Sequence, residues 1–154
     1  MSNASISSDA ISIPHEVFDT HSLPSEERFG IWRESVLPLF EPRLDESPSQ
    51  DFYARIDAFD LKRLFVCLAE FSAQRYVRAR KHAAGEHADH LLIQLYMTGG
   101  YVGHNGNRPV RVGPGDISLL DLSAPLETQA ENSSTVSVVI PRERMFSLVP
   151  PDHL

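Results

Sequence analysis

The sequence predicts a mainly β protein of barrel or sandwich type with one amphipathic helix near its start. From Phe52 onward apolar residues either alternate with polar ones or fall into short continuous runs, the pattern of half-buried and buried strands. Turn residues punctuate those runs at close spacing, as in small all-β domains. Helical periodicity, by contrast, is confined to a single stretch upstream of Pro38. At 154 residues the chain has the length of one domain able to bury a core without disulfide or metal staples.

Residues 1–17 are polar and serine-rich, and they are expected to be disordered and to contribute nothing to the core. They carry no basic segment followed by an apolar one, so no secretory signal is read there. A helix over 25–37 follows. Ser25 supplies an N-cap, Glu26 and Glu27 suit the positive end of the helix dipole, and Phe29, Trp32 and Val36 recur on one face. Pro38 and Pro42 end it, and Asp45 to Gln50 reads as a polar loop.

Eight short strands are then predicted, over 52–59, 63–71, 73–79, 90–97, 101–104, 109–112, 117–122 and 135–140. Gly99-Gly100 marks a bulge or a sharp bend at a barrel corner. Asn105-Gly106 signals a two-residue type I′ hairpin, and Val112-Gly113-Pro114-Gly115-Asp116 a second tight turn. Pro141 and the residues after it open another helix.

Charge and cysteine usage narrow the function classes. With 21 acidic against 14 basic residues, net −7, these residues lack the basic footprint of a DNA-binding domain. The short basic cluster Arg75, Arg78, Arg80 and Lys81 is expected to be a solvated strand edge. Cys67 is the single cysteine and sits in an apolar run, so it reads as a small buried hydrophobe rather than half of a disulfide or a thiolate metal ligand. No apolar run is long enough to cross a bilayer, and a cytoplasmic location is expected.

Four segments occur in order: Glu27-Arg28-Phe29-Gly30-Ile31-Trp32-Arg33-Glu34; then Asp89 to Gly99; then Gly113 to Leu126, beginning Gly113-Pro114-Gly115-Asp116; and last Val139-Ile140-Pro141-Arg142. Together they resemble the AraC-binding-like N-terminal domain of AraC-type transcription regulators. The resemblance implies a cupin-like double-stranded β-helix barrel over 18–142 that senses a small-molecule effector, mediates dimerisation, or both. It further implies that 143–154 begin a helical dimerisation segment, here cut short. DNA would be bound only through a C-terminal helix-turn-helix half not seen in this chain, and the full-length protein would be a homodimer. No membrane partner and no cofactor are expected.

The alternative reading is a small metal-dependent cupin enzyme. His82, Glu86, His87 and His90 crowd into nine residues, and imidazole with carboxylate suits iron, manganese or zinc. His87 and His90 would be its ligands, yet their odd separation sends the two rings to opposite faces of a regular strand. Pro125 is followed by Leu126, Glu127 and Thr128, so the histidine that metal cupins carry near that point is missing. His90 is instead read as a structural residue at a strand start. No nucleophile elbow or phosphate-binding loop is present, and the chain is read as a non-enzyme.

Effector contacts are sought on alternating faces. On the strand over 90–97, Leu91, Ile93, Leu95 and Met97 form the expected core face, while His90, Leu92, Gln94 and Tyr96 share the mixed face a pocket wall would need. Tyr76 and Arg78 share a face on another strand, and Arg78 could clamp a carboxylate bidentately. Tyr76, Arg78, Gln94 and Tyr96 are therefore the candidate effector contacts. Trp32 and Phe29 are expected to dock the helix on the outside of the barrel.

Overall fold

A computed structural model describes residues 12–45, 52–79 and 88–150. In chain order these form β1 (His15–Asp19), a single 3-10 turn (Thr20–Ser22), α1 (Arg28–Val36), β2 (Glu41–Arg43), β3 (Ala54–Asp60), β4 (Phe65–Phe71) and β5 (Gln74–Arg78). There follow β6 (His90–Thr98), β7 (Tyr101–Asn105), β8 (Arg108–Val112), β9 (Ile117–Asp121), β10 (Leu126–Ala130), β11 (Ser133–Pro141) and α2 (Arg142–Leu148). All eight predicted strands are present, with ends displaced by a few residues.

The strands make two antiparallel sheets, one of order β1-β3-β4-β11-β6-β9 and one of order β2-β5-β10-β7-β8. From β4 onward most connections carry the chain from one sheet to the other, as in a cupin-like double-stranded β-helix barrel. Gly99-Gly100 is one such crossing, between β6 and β7. Gly99 has φ +70°, and a Cβ there would lie 2.2 Å from the Asn132 carbonyl oxygen, so the bend requires glycine.

The tight turns follow their chemistry with one shift of register. Pro114-Gly115 forms the middle of a turn closed by Asp116 N–H to the Gly113 carbonyl at 3.1 Å, with Gly115 at φ +86°, as a type II turn needs. In the β7–β8 hairpin Asn105 pairs with Arg108, so the central residues are Gly106 and Asn107. Among these only Gly106 has positive φ, at +60°, which fits a glycine-first II′ turn rather than the expected I′ turn.

Several expectations are corrected. Residues 15–17 are not disordered but belong to β1, whose register with β3 runs from His15 opposite Phe59 to Asp19 opposite Arg55. The expected helix over 25–37 shortens to nine residues. The Ser25 hydroxyl bonds the Glu26 carboxylate at 3.3 Å instead of capping a backbone N–H, and 25–27 form a turn. β2 and β10 were hidden by Pro42 and by the weak alternation of Leu126-Glu127-Thr128-Gln129-Ala130. The basic cluster is no strand edge: β5 lies between β2 and β10, Arg75 pairs with Glu127, and Arg78 is buried. Arg80, Lys81, His82, Glu86 and His87 lie outside the described residues.

Strand β6 reverses the expected core face. Alternation fixes which residues share a face but not which face turns inward. Leu95 and Met97 are 37% and 56% exposed, whereas Leu92 and Tyr96 are buried. Leu91 is buried although it shares the outward face, because α2 lies against that end of β6 and β11. Along the same row the neighbours Leu68 on β4 and Ile117 on β9 are also exposed, so the outer face of the larger sheet is apolar away from α2.

α1 sits at an end of the barrel rather than on its outside. Trp32, only 2% exposed, joins the interior cluster with Phe52, Phe71, Tyr96 and Tyr101, drawn from both sheets. Phe29 meets Phe52 edge-on at 5.2 Å between ring centroids. The expected amphipathic stripe reduces to one anchoring indole with two half-buried neighbours.

Candidate functional site: the barrel cavity

Between the two sheets lies a cavity of about 120 Å³. Every second residue on the strands turns into it: Leu92, Gln94 and Tyr96 from β6, and Thr135, Ser137 and Val139 from β11. The smaller sheet contributes Tyr76, Thr128 and Tyr101, and the helix end closes it with Trp32, Val36, Leu39 and Phe40. The walls are largely aromatic and aliphatic, with a few hydroxyls and one amide.

Hydrogen bonds hold most of those polar groups in place. The Trp32 indole N–H donates to Gln74 Oε1 at 2.8 Å, and Gln74 Nε2 donates to the Ser72 carbonyl at 3.1 Å. A buried indole and a buried amide thereby satisfy one another. Tyr101 and Ser118 share a hydroxyl–hydroxyl bond of 2.8 Å, and Gln94 Nε2 donates to Ser137 Oγ at 3.1 Å. The Tyr96 and Tyr101 rings meet at 5.4 Å, and Tyr76 packs against Phe71 and Phe40, each at 5.7 Å.

Among the described residues no Asp, Glu, Lys, Arg or His lines the cavity. Burial raises the pKa of Tyr76 and of Tyr96, with the neighbouring phenol adding to the effect in each case. Burial also raises Tyr101, partly offset by its bond to Ser118, and it raises the Cys67 thiol, which lines the same cavity. All four groups are neutral at physiological pH.

Of the four candidate contacts, Tyr76, Gln94 and Tyr96 come together in this cavity, and Arg78 does not. Arg78 is 1% exposed and donates through Nε to the Leu122 carbonyl at 2.8 Å and through a second nitrogen to the Leu39 carbonyl. Burial lowers its pKa, opposed by Asp121 nearby. Arg78 therefore ties the turn after α1 to the turn after β9 and is not among the residues that line the cavity. Trp32, Tyr101 and Thr128 were not among the candidates. Trp32 was legible as an anchor only, and Thr128 lies on β10, which was not foreseen.

The metal-ligand expectation falls largely outside the described residues, since His82, Glu86 and His87 do. His90 opens β6 opposite Pro141, and its carbonyl accepts from Leu122 N–H at 3.1 Å. It does not line the cavity. Among the described residues no three His, Cys, Asp or Glu side chains gather as a metal site would need, and no helix is long and apolar enough to cross a membrane.

Comparison with known proteins gives one family and a consistent fold. The family model of the AraC-binding-like domain matches residues 34–154. An uncharacterized protein in the nit 5′ region of Bacillus sp. (strain OxB-1) is 27% identical over 111 residues, covering 71% of this chain and 43% of that protein. The crystal structure of the AraC-like transcriptional activator CuxR is similar at a TM-score of 0.77 and 23% identity, covering 84% of this chain and 48% of that one. This chain thus spans less than half the length of either relative.

Proposed function

We propose that this chain, which belongs to the AraC-binding-like domain family, is the effector-sensing part of an AraC-type transcription regulator. The observation that carries the reading is the cavity: a concave, mostly apolar pocket between two sheets, with a few fixed polar groups, is the form small-molecule sites take. Tyr76, Gln94 and Tyr96 contact the effector. DNA is read by a helix-turn-helix domain of the parent protein, which is a homodimer acting in the cytoplasm. The chain's net charge of −7 supports assigning DNA contact elsewhere.

Sensing requires that the effector bind two conformations of the protein unequally. The parts that can differ are those that both border the cavity and connect to the chain's exit. Leu39 borders the cavity and accepts from Arg78. Arg78 also bonds Leu122, next to Asp121, and Asp121 accepts from Arg142 at the start of α2. An occupant pressing on the α1 end would be felt at α2 through that short series of bonds.

A thermal-shift screen of small neutral and charged organic compounds tests the reading, run in parallel on the natural sequence and on Ala69→Phe. Ala69 lines the cavity from β4, so the added ring occupies the space an effector needs. Compounds that stabilise the natural chain should lose that effect in the variant. A screen whose hits act equally on both proteins would contradict an interior effector site.

A further inference from the structure

We infer that the cavity takes an uncharged single-ring compound carrying one hydroxyl or carbonyl group, received by the phenols of Tyr76 and Tyr96; this rests on the cavity being the effector site. Size sets the first limit. At about 120 Å³ the chamber is close to the ~150 Å³ of an apolar protein cavity that binds benzene. One ring fills that space, and a larger compound would have to extend out of the cavity or push its walls apart.

Charge sets the second. Among the described residues the only ionisable groups lining the cavity are the neutral phenols and the Cys67 thiol, and the buried Arg78 guanidinium donates to the carbonyls of Leu122 and Leu39. A carboxylate or ammonium placed here would be stripped of water with no opposite charge to meet it, and burial of an unpaired ion is strongly unfavourable. Acids and amines are thereby refused in their charged forms.

The unpartnered hydroxyls set the third. Tyr76 and Tyr96 reach the cavity from opposite sheets, and neither phenol hydroxyl makes a hydrogen bond among the described residues. Tyr96 is only 3% exposed. Both residues line the cavity, so each hydroxyl is able to bond a molecule placed there. Tyr101, three residues past the end of β6, is bonded to Ser118 and is not open in this way. Gln94 spends its amide nitrogen on Ser137, which leaves its carbonyl oxygen as an acceptor. A ligand hydroxyl can donate to that oxygen while accepting from a phenol; a ligand carbonyl can accept from both phenols.

Calorimetric titration of the intact chain at pH 7 with benzyl alcohol, benzamide, toluene, benzoate and benzylamine tests this directly. Benzyl alcohol and benzamide should bind at least about tenfold more tightly than benzoate or benzylamine. Tyr76→Phe and Tyr96→Phe should each keep the melting temperature, because the hydroxyl removed has no partner, and should weaken benzyl alcohol by about fivefold or more without weakening toluene. Tighter binding of the charged pair, unchanged alcohol binding in both phenylalanine variants, or no binding of either neutral polar probe overturns the ligand class. Probe binding that survives Ala69→Phe, or Cys67→Phe should the first variant lower the melting temperature, places the probes outside the barrel and overturns the underlying reading instead.

Discussion

Trp32 is at once an anchor and a wall. It buries its ring in the interior cluster, spends its N–H on Gln74, and closes one side of the cavity. Replacing it with alanine removes a buried aromatic ring and leaves Gln74 with one bond fewer, so Trp32→Ala should lower stability by about 3–5 kcal/mol, read from urea unfolding. An unchanged midpoint would show that α1 is not docked as described. Cys67 offers a second reading of the same chamber. Burial holds its thiol above the usual range, and the thiolate is the reactive form, so N-ethylmaleimide should label the native protein far more slowly than the unfolded one. Because the chain has a single cysteine, the label reports on this wall alone. The sequence disclosed Trp32 as a buried anchor through its helical spacing. It did not disclose that Arg78 is buried: the Leu39 and Leu122 carbonyls it bonds lie about 40 residues away on either side in the chain, and local sequence does not show them.

Strand β6 and helix α2 illustrate what alternation can and cannot tell. Period two was plain in Leu91-Leu92-Ile93-Gln94-Leu95-Tyr96-Met97, yet the wholly apolar face turned out to be the outer one. A barrel that encloses a ligand site wants a mixed inner face, and a sheet partly covered by a helix tolerates an apolar outer face, so polarity misleads about direction here. β10 escaped notice because its inward residues Leu126, Thr128 and Ala130 lack a common character. The β7–β8 hairpin was legible as a hairpin though not as type II′, and the Gly99-Gly100 corner was legible in kind, since only glycine serves there. Gly99→Ala should destabilise by more than about 1 kcal/mol, whereas Gly30→Ala, where an added Cβ meets nothing within 4 Å, should not destabilise the protein.

α2 is fastened at its start by Arg142, which bonds Asp121 and lies 3.6 Å from Asp89. Burial alone would raise the Asp121 pKa, but hydrogen bonds from Ser123 and the Arg142 guanidinium outweigh it and hold the carboxyl below its ordinary value. A carboxyl lowered in the folded state stabilises that state above its unfolded pKa, about 4, and the contribution is lost as pH falls through the folded value. α2 docking should therefore weaken below about pH 4. Hydrogen exchange over α2 between pH 3 and 6 should reveal that loss in the natural chain, and Asp121→Asn should show less protection at pH 6 and a flatter acid dependence. Equal profiles in the two proteins would mean that the Arg142–Asp121 pair does not secure the helix.

For the molecule as a whole, one fold places two apolar regions on opposite sides of the same sheet: a chamber lined by Leu92, Tyr96 and Leu120, and an outer face carrying Leu95, Ile117 and Leu119. The proposed function depends on small molecules choosing the first. Among the described residues lining the chamber only the phenols and the Cys67 thiol ionise, each above its ordinary range, so neutral-probe affinity should be level from pH 5 to about 7.5; a slope in calorimetric affinity there would point to a charged residue in the site. The central claim is tested most directly by mapping benzyl alcohol on the protein through the methyl resonances of its leucines and isoleucines. Saturable shifts at Leu92 and Leu120, with Leu95 and Ile117 unmoved, are the predicted result. Shifts confined to Leu95, Ile117 and Leu119 would place binding on the outer face and contradict an effector site within the barrel.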